Sequence, residues 1–123
     1  MAPAATTQLT DAQRLIARAM PEATLLANVR ELARLKGWRT YHTLRSKGSE
    51  AGFPDLVMVR RGRLIFAELK TEAGDTTAAQ RTWLDDLASS CRLHDRSGVV
   101  LGSEVCVWRP SHWLSGEIEE ALA

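Results

Sequence analysis

Three ionisable residues at the ends of two apolar segments are the strongest sign of chemistry in this chain. Asp55 precedes the segment Leu-Val-Met-Val, and Glu68 and Lys70 follow the segment Leu-Ile-Phe-Ala. Two carboxylates and an ammonium that end buried strands are costly unless they pair with one another or bind a metal. The pattern therefore indicates either an ion-pair cluster at the rim of a sheet or a site for metal-assisted chemistry.

A β-hairpin would bring these residues together. If Arg61-Gly62 is a two-residue turn, the strands pair so that partner numbers sum to 123, which places Asp55 opposite Glu68. Directly opposed residues have Cβ atoms roughly 5 Å apart, a gap that suits a divalent cation with oxygen ligands at about 2.1 Å. Lys70 lies two residues beyond Glu68 and therefore on the same face of the sheet.

The surrounding elements predict an α/β fold with one mixed β-sheet flanked by helices. The 123 residues suffice for a single domain over residues 10–123, preceded by a disordered segment over residues 1–9. Capping boxes predict helix starts at Thr10 and Thr77, Pro21 suits a first helical position, and Gly37 ends the second helix. The predicted helices cover residues 10–20, 21–36 and 77–90, with a short one after Pro110; the strands cover 38–44, 55–60, 63–70, 99–101 and 104–109, and residues 91–98 are irregular.

An extended pattern surrounds the three ionisable residues. The segments Gly52-Phe53-Pro54-Asp55-Leu56, Phe66-Ala67-Glu68-Leu69-Lys70 and Gln80-x-x-Trp83-Leu84 follow one another in this order. With Glu22, Gly37-Trp38 and Val107-Trp108-Arg109-Pro110, the pattern resembles the VRR-NUC family of the PD-(D/E)xK nuclease superfamily over about residues 22–113. This resemblance implies a restriction-endonuclease-like core of the order αβββαβ, as in phage-type enzymes that resemble Holliday-junction resolvases.

The resemblance also implies the composition of the active site. Asp55 and Glu68 would be carboxylate ligands of Mg²⁺ or Mn²⁺, and the backbone carbonyl of Leu69 would add a further ligand. Lys70 would orient or help to deprotonate the attacking water and would stabilise charge on the phosphate. A metal and a nearby lysine are what phosphodiester hydrolysis requires, because the reaction needs an activated water and stabilisation of negative charge.

Two further residues take site functions from the resemblance, and each has a simpler explanation. Glu22 would contact the metal directly or through water; it lies one heptad before Val29 and so faces the sheet, whereas Glu31 should face solvent. The alternative is an acidic residue in a first helical turn, which the helix dipole favours. Gln80 would support Lys70 or a water, but it is also the third residue of the Thr77 capping box.

Positive charge is concentrated in one part of the chain. The net charge is +1, yet nine basic residues and three acids lie between Arg30 and Arg63. Such a segment suits a polyanion bound on one side, although a solvated surface is an equal alternative. A basic loop directly before Asp55 could hold phosphates, or could simply be solvated; its polar residues are Arg45, Ser46, Lys47 and Ser49.

The cysteines and the absence of apolar runs predict a reduced, cytoplasmic protein. Cys91 and Cys106 do not form a disulfide framework, and no secretory signal or membrane span is evident. For a phage protein this would be the host cytoplasm. Cys91, His94, Cys106 and His112 fit no common zinc module, so no structural zinc is expected.

The resemblance, together with these features, implies a divalent-metal-dependent DNA endonuclease with specificity for branched DNA such as a Holliday junction. A homodimer is expected because a junction offers two scissile strands related by a near two-fold axis. Two alternatives remain open: a duplex or flap nuclease without junction preference, and a catalytically silent DNA-binding module. Residues 89–103 look longer than in the family pattern and bear on substrate choice.

Overall fold

A computed structural model describes residues 8–44, 48–90, 92–94 and 100–123. It has an α/β architecture with a mixed sheet flanked by helices. None of the described helices combines the length and apolar character that a membrane crossing requires. The helices are α1 (Asp11–Ala19), α2 (Glu22–Leu35), α3 (Ala78–Ser90), α4 (Pro110–Leu114) and α5 (Glu117–Ala121), and the strands are β1 (Arg39–His42), β2 (Leu56–Arg60), β3 (Arg63–Leu69), β4 (Arg92–His94) and β5 (Val100–Trp108).

The strands lie in the order β1-β2-β3-β5-β4. Strand β2 pairs antiparallel with both β1 and β3, β3 pairs parallel with β5, and the short β4 pairs antiparallel with the first residues of β5. Two parallel strands cannot be joined by a tight turn, and helix α3 lies in the connection between β3 and β5. The chain order therefore places α3 directly after the end of β3, where Glu68 and Lys70 lie.

The hairpin between β2 and β3 has the predicted register. Arg60 faces Arg63 and Leu56 faces Ala67, so partner numbers sum to 123 throughout the ladder. Arg61 and Gly62 have φ angles of 46° and 81°. A type I′ turn requires positive φ at both central residues, and its twist matches that of the flanking strands. The turn therefore fixes the pairing that brings the ends of the two strands together.

The core lies between the sheet and α2. Leu25 and Val29 of α2 are fully buried, as are Met58 and Leu56 of β2. Trp38 closes one end of this core, and its indole N–H donates to the carbonyl of Leu122 at 3.0 Å. The apolar stripe of α2 thus faces the sheet, and Glu22 at the start of the helix lies close enough to Asp55 to interact with it electrostatically.

The structure corrects several predicted boundaries in the second half of the chain. Residues 92–94 form a strand instead of an irregular segment, and β5 is a single strand where two were predicted. The predicted turn at Gly102-Ser103 is wrong because Gly102 pairs with Arg92 and Ser103 pairs with Leu64. Neighbouring strands on both sides thus override a local turn signal.

Smaller corrections concern the element ends. The first strand covers only Arg39–His42, and Pro21 is the N-cap of α2, one position before the predicted one. The helix after Pro110 is divided into α4 and α5 by Gly116, whose φ of 84° is not helical. Both capping boxes are confirmed: the Thr10 and Gln13 side chains each accept from the other's backbone N–H, as do those of Thr77 and Gln80.

Candidate active site

Asp55 lies just before β2 and is held by both neighbouring strands. Its Oδ2 atom accepts a hydrogen bond from the backbone N–H of Leu69 at 2.8 Å, and its backbone carbonyl accepts from the N–H of Thr43 at 3.2 Å. The regular β2–β3 ladder ends at the pair Leu56 and Ala67. A side-chain oxygen thus accepts the next N–H of β3, which turns the Asp55 carboxylate toward the end of that strand.

Glu68 is the one charged residue among the buried side chains of the described chain. Its side chain is 2% exposed, and its Oε1 accepts a hydrogen bond from Nε2 of Gln80 at 2.8 Å. Its other oxygen, Oε2, is buried and has no hydrogen-bond partner among the described residues. A buried carboxylate oxygen without a partner is costly, so this atom calls for a proton or a cation.

The electrostatic surroundings of Glu68 explain this demand. The pKa of Glu68 is raised to about 8, chiefly by burial, then by the charge of Asp55 and a hydrogen bond between the two carboxyl groups, and to a smaller extent by Glu22. Lys70 acts in the opposite direction, with its Nζ atom 3.9 Å from Oε1 of Glu68. One ammonium therefore faces three carboxyl groups. Ionised carboxylates in such proximity repel one another, and a bound cation removes that repulsion.

Gln80 combines the two functions that its sequence position allows. Its Oε1 atom accepts from the backbone N–H of Thr77 and completes the capping box of α3. Its Nε2 atom meanwhile donates to Glu68. The capping interaction fixes the rotamer of Gln80, and the amide group then presents a donor to the carboxylate. The cap of α3 is thus also a support for the site.

Glu22 lies at the edge of the site, at the first residue of α2. Its side chain is exposed, and its pKa is raised by partial burial and by Asp55, while Lys70 lowers it. Glu22 is therefore within electrostatic reach of the site. The rival carboxylate Glu31 is exposed on the same helix.

The donor atoms of this site suit a hard divalent cation. Asp55 and Glu68 provide carboxylate oxygens, and Oε2 of Glu68 has no partner among the described residues. The N–H of Leu69 donates to Asp55, and the N–H and C=O of one residue point to the same side of a strand, so the Leu69 carbonyl faces the site as well. Magnesium and manganese prefer such oxygen ligands and complete their coordination with water. In the described part of the chain, no three His, Cys, Asp or Glu side chains form a metal cluster by themselves.

The remaining predicted residues have different outcomes. Arg45, Ser46 and Lys47 lie outside the described residues, as does Cys91. Ser49 is exposed and lines a cavity beside the site. His112 accepts the backbone N–H of Arg109 through Nδ1.

Cys106 is half-buried, and burial raises the pKa of its thiol to about 12. Its sulfur lies 3.7 Å from the carbonyl oxygen of Phe66. A thiol with so high a pKa stays protonated at neutral pH and behaves as a small apolar side chain.

Sequence reasoning missed two contributors to the neighbourhood of the site. Thr43 anchors Asp55 through its backbone N–H, which no side-chain pattern could reveal. Tyr41 lies two residues earlier on β1 and lines the cavity with Phe53 and Trp83. The alternation of β1 could have placed Tyr41 and Thr43 on one face, but not beside Trp83 of α3.

The chain was compared with models of protein families, with characterised proteins and with solved structures, and none of them matched. The site itself combines two carboxyl groups in contact, a buried oxygen without a partner among the described residues, one ammonium, and an amide fixed by a helix cap.

Proposed function

We propose that this protein is a divalent-metal-dependent DNA endonuclease that hydrolyses phosphodiester bonds at the Asp55–Glu68–Lys70 site. The observation that carries the proposal is the buried carboxylate of Glu68, which keeps one oxygen unpartnered beside Asp55. An ion pair alone would not need that arrangement, because Lys70 lies 3.9 Å from the opposite oxygen. A cation bound there would polarise the scissile phosphate and lower the pKa of a water molecule.

The residues around the cation position have distinct functions in this proposal. Asp55 and Glu68 hold Mg²⁺ or Mn²⁺ together with the Leu69 carbonyl. Lys70, which is 13% exposed, contributes positive charge where the phosphate accumulates negative charge during attack. Gln80 keeps the Glu68 carboxylate in one orientation through the bond to Oε1.

The order of elements supports the family assignment that the sequence pattern suggests. Helix α2, strands β1 to β3, helix α3 and strand β5 follow one another in the order αβββαβ. This is the order of a restriction-endonuclease-like core, and we propose that the chain adopts that fold as a VRR-NUC nuclease. Strand β4 lies between α3 and β5 and corresponds to the segment that looked longer than the family pattern.

We further propose that the substrate is branched DNA, such as a Holliday junction, and that the active form is a homodimer. Two scissile strands related by a near two-fold axis need two sites in one particle. The concentration of basic residues between Arg30 and Arg63 supports a polyanionic substrate. Part of that charge is used within the protein, because Arg63 pairs with Glu104 at 2.8 Å.

Cleavage of labelled DNA tests this proposal. A four-way junction, a flap, a linear duplex and a single strand would be incubated with Mg²⁺, Mn²⁺ or EDTA. The comparison includes Lys70→Ala and, as a charge-matched control, Arg18→Ala, which removes an exposed cation of α1. We expect metal-dependent, symmetric nicking of the junction and a loss of about 10²–10³-fold in Lys70→Ala, with Arg18→Ala unchanged.

The other outcomes separate the alternatives. Metal-dependent cleavage of duplex or flap with equal efficiency would retain the nuclease and remove the junction preference. Tight binding of DNA without cleavage of any substrate in Mn²⁺ would refute the enzyme and favour a catalytically silent DNA-binding module.

A further inference from the structure

A cavity lined by aromatic side chains lies beside the proposed active site. Its volume is about 280 Å³. Three of its lining residues are aromatic and come from three separate parts of the chain: β1, the segment before β2, and α3. We name this cavity the aromatic pocket; it is lined by Tyr41, Thr43, Ser49, Glu50, Gly52, Phe53 and Trp83.

Each wall of the aromatic pocket is connected to a residue of the site. The backbone N–H of Thr43 donates to the carbonyl of Asp55 at 3.2 Å, and Phe53 precedes Asp55 by two residues. Trp83 lies three residues after Gln80 on α3, and side chains at that spacing are neighbours on a helix, roughly 5–6 Å apart. The pocket is therefore built from the same segments that position Asp55 and, through Gln80, Glu68.

Gly52 holds this arrangement together. Its φ is 91°, and a Cβ atom at this position would lie 2.5 Å from the carbonyl carbon of Ala79 and 2.7 Å from the nitrogen of Gln80. Only glycine permits this approach of the pre-β2 segment to the start of α3. The contact fixes Phe53 against Trp83, with ring centroids 5.1 Å apart and an interplanar angle of 84°.

The chemistry of the lining favours a nucleobase over other occupants. Tyr41 is 64% exposed on the edge strand of the sheet, so its ring is available for stacking, which aromatic side chains provide to any base. The carboxylate of Glu50 disfavours a phosphate in the pocket, but it can accept hydrogen bonds from the amino group of a base. Aromatic faces and an acceptor at the rim suit a base edge, and they do not suit a phosphate.

We propose that the aromatic pocket receives an unpaired base of the strand whose phosphodiester bond lies at the Asp55–Glu68 site. The inference deepens the proposed nuclease function and rests on it for the identity of the substrate. It gives that nuclease a physical means of selecting branched DNA, because a base can enter the pocket only after it is unpaired, which costs least beside a branch or in a single strand. A fully paired duplex must first lose a base pair, which costs a few kcal/mol.

A double-mutant cycle between protein substitutions and DNA modifications tests the pocket, with binding affinity as the only quantity measured. A fluorescently labelled flap is titrated at low salt in EDTA, so that no cleavage occurs. Each unpaired nucleotide next to the branch is replaced in turn by an abasic residue. Wild type is compared with Tyr41→Ala, with Tyr41→Phe, which keeps the ring, and with Leu35→Ala, an exposed apolar residue outside the pocket.

The expected result is a specific coupling between protein and DNA. Tyr41→Ala lowers affinity about 5- to 50-fold, and an abasic residue at one position lowers it by a similar factor. The two losses do not add when combined, since they remove the same contact. Tyr41→Phe and Leu35→Ala bind like wild type, and unchanged thermal unfolding of Tyr41→Ala excludes a folding defect.

Additive losses at every abasic position, or equal effects of Tyr41→Ala and Leu35→Ala, overturn the proposal. A loss of self-association in Tyr41→Ala with unchanged DNA affinity also overturns it and identifies the pocket as a protein contact.

The test of the pocket can be distinguished from the test of the nuclease. Metal-dependent cleavage abolished in Lys70→Ala can coexist with an additive cycle, which refutes only the base pocket. A non-additive cycle without cleavage in Mn²⁺ supports the pocket and refutes the nuclease.

Discussion

Replacing the buried carboxylate by an amide of the same shape, Glu68→Gln, tests whether the ionised Glu68 side chain destabilises the folded protein when no cation is bound. The amide carbonyl can still accept the hydrogen bond that Gln80 donates at 2.8 Å. The substitution removes the charge that burial and Asp55 disfavour. We therefore expect Glu68→Gln to be more stable than the metal-free wild type at neutral and alkaline pH.

The size and pH dependence follow from the raised pKa. The pKa of Glu68 is about 8 in the folded protein, against an ordinary value of 4.5 for a glutamate in water. Between these values the folded state binds one more proton than the unfolded state, so stability falls as pH rises, by about 1.4 kcal/mol per pH unit. Over the whole range this loss of folding free energy would be about 5 kcal/mol, and water entry on ionisation reduces it to about 2–3 kcal/mol. The contribution of Glu68 to stability is fully present below about pH 4.5 and is lost as pH rises through about 8.

Urea unfolding followed by tryptophan fluorescence measures this difference at several pH values between 5 and 8. In EDTA, the stability of Glu68→Gln should exceed that of wild type increasingly toward pH 8. Adding Mn²⁺ should stabilise wild type, by about 2.7 kcal/mol at a concentration of 100 times Kd, and should leave the variant nearly unchanged. Glu31→Gln, which removes an exposed carboxylate of α2, is the matched control.

Two results would refute this reasoning. If Glu68→Gln gains no more stability at pH 8 than Glu31→Gln, the carboxylate is not destabilised by its surroundings. If Mn²⁺ stabilises Glu68→Gln as strongly as wild type, Glu68 does not bind the cation, and the proposed metal site is wrong.

Further predictions concern the support of the site. Gly52→Ala should lower the free energy of unfolding by about 2–4 kcal/mol, because its Cβ would lie 2.5 Å from backbone atoms of α3. Gly48→Ala has a similar φ of 88° but open space around it, so urea unfolding should show a loss of only about 1 kcal/mol. Gln80→Glu keeps an acceptor for the helix cap, so stability in Mn²⁺ should change little. It replaces the amide that donates to Glu68 by a further carboxylate, so cleavage should fall about 10-fold or more. Equal cleavage by Gln80→Glu and wild type would show that the amide donor is dispensable.

The part of the site that lies in one hairpin was accessible from the sequence. A Gly-bearing two-residue connection fixes the register of two strands, and side-chain alternation then places Lys70 on the face of Glu68. The structure confirms this register from Leu56–Ala67 to Arg60–Arg63. The prediction succeeded because it depended only on local geometry, which the residues of the turn determine.

The second half of the sheet was less predictable, for a physical reason. The residues Leu-Gly-Ser at 101–103 carry a turn signal, yet they continue β5 because β4 and β3 pair with them on opposite sides. Those partners lie 39 residues before Ser103, at Leu64, and 10 residues before Gly102, at Arg92. Pairing energies of this kind are contributed by the assembled sheet and are not present in a short window of sequence.

Gln80 shows how a single position can satisfy a local and a distant requirement together. From the sequence, its capping function and its site function were competing explanations. In the structure the two ends of one amide serve both, since Oε1 accepts from Thr77 and Nε2 donates to Glu68. Helix capping would be satisfied equally by glutamate, whereas donation to a buried carboxylate requires the amide. The choice of glutamine here is therefore explained by the site and not by the helix, which is why the glutamate variant separates the two.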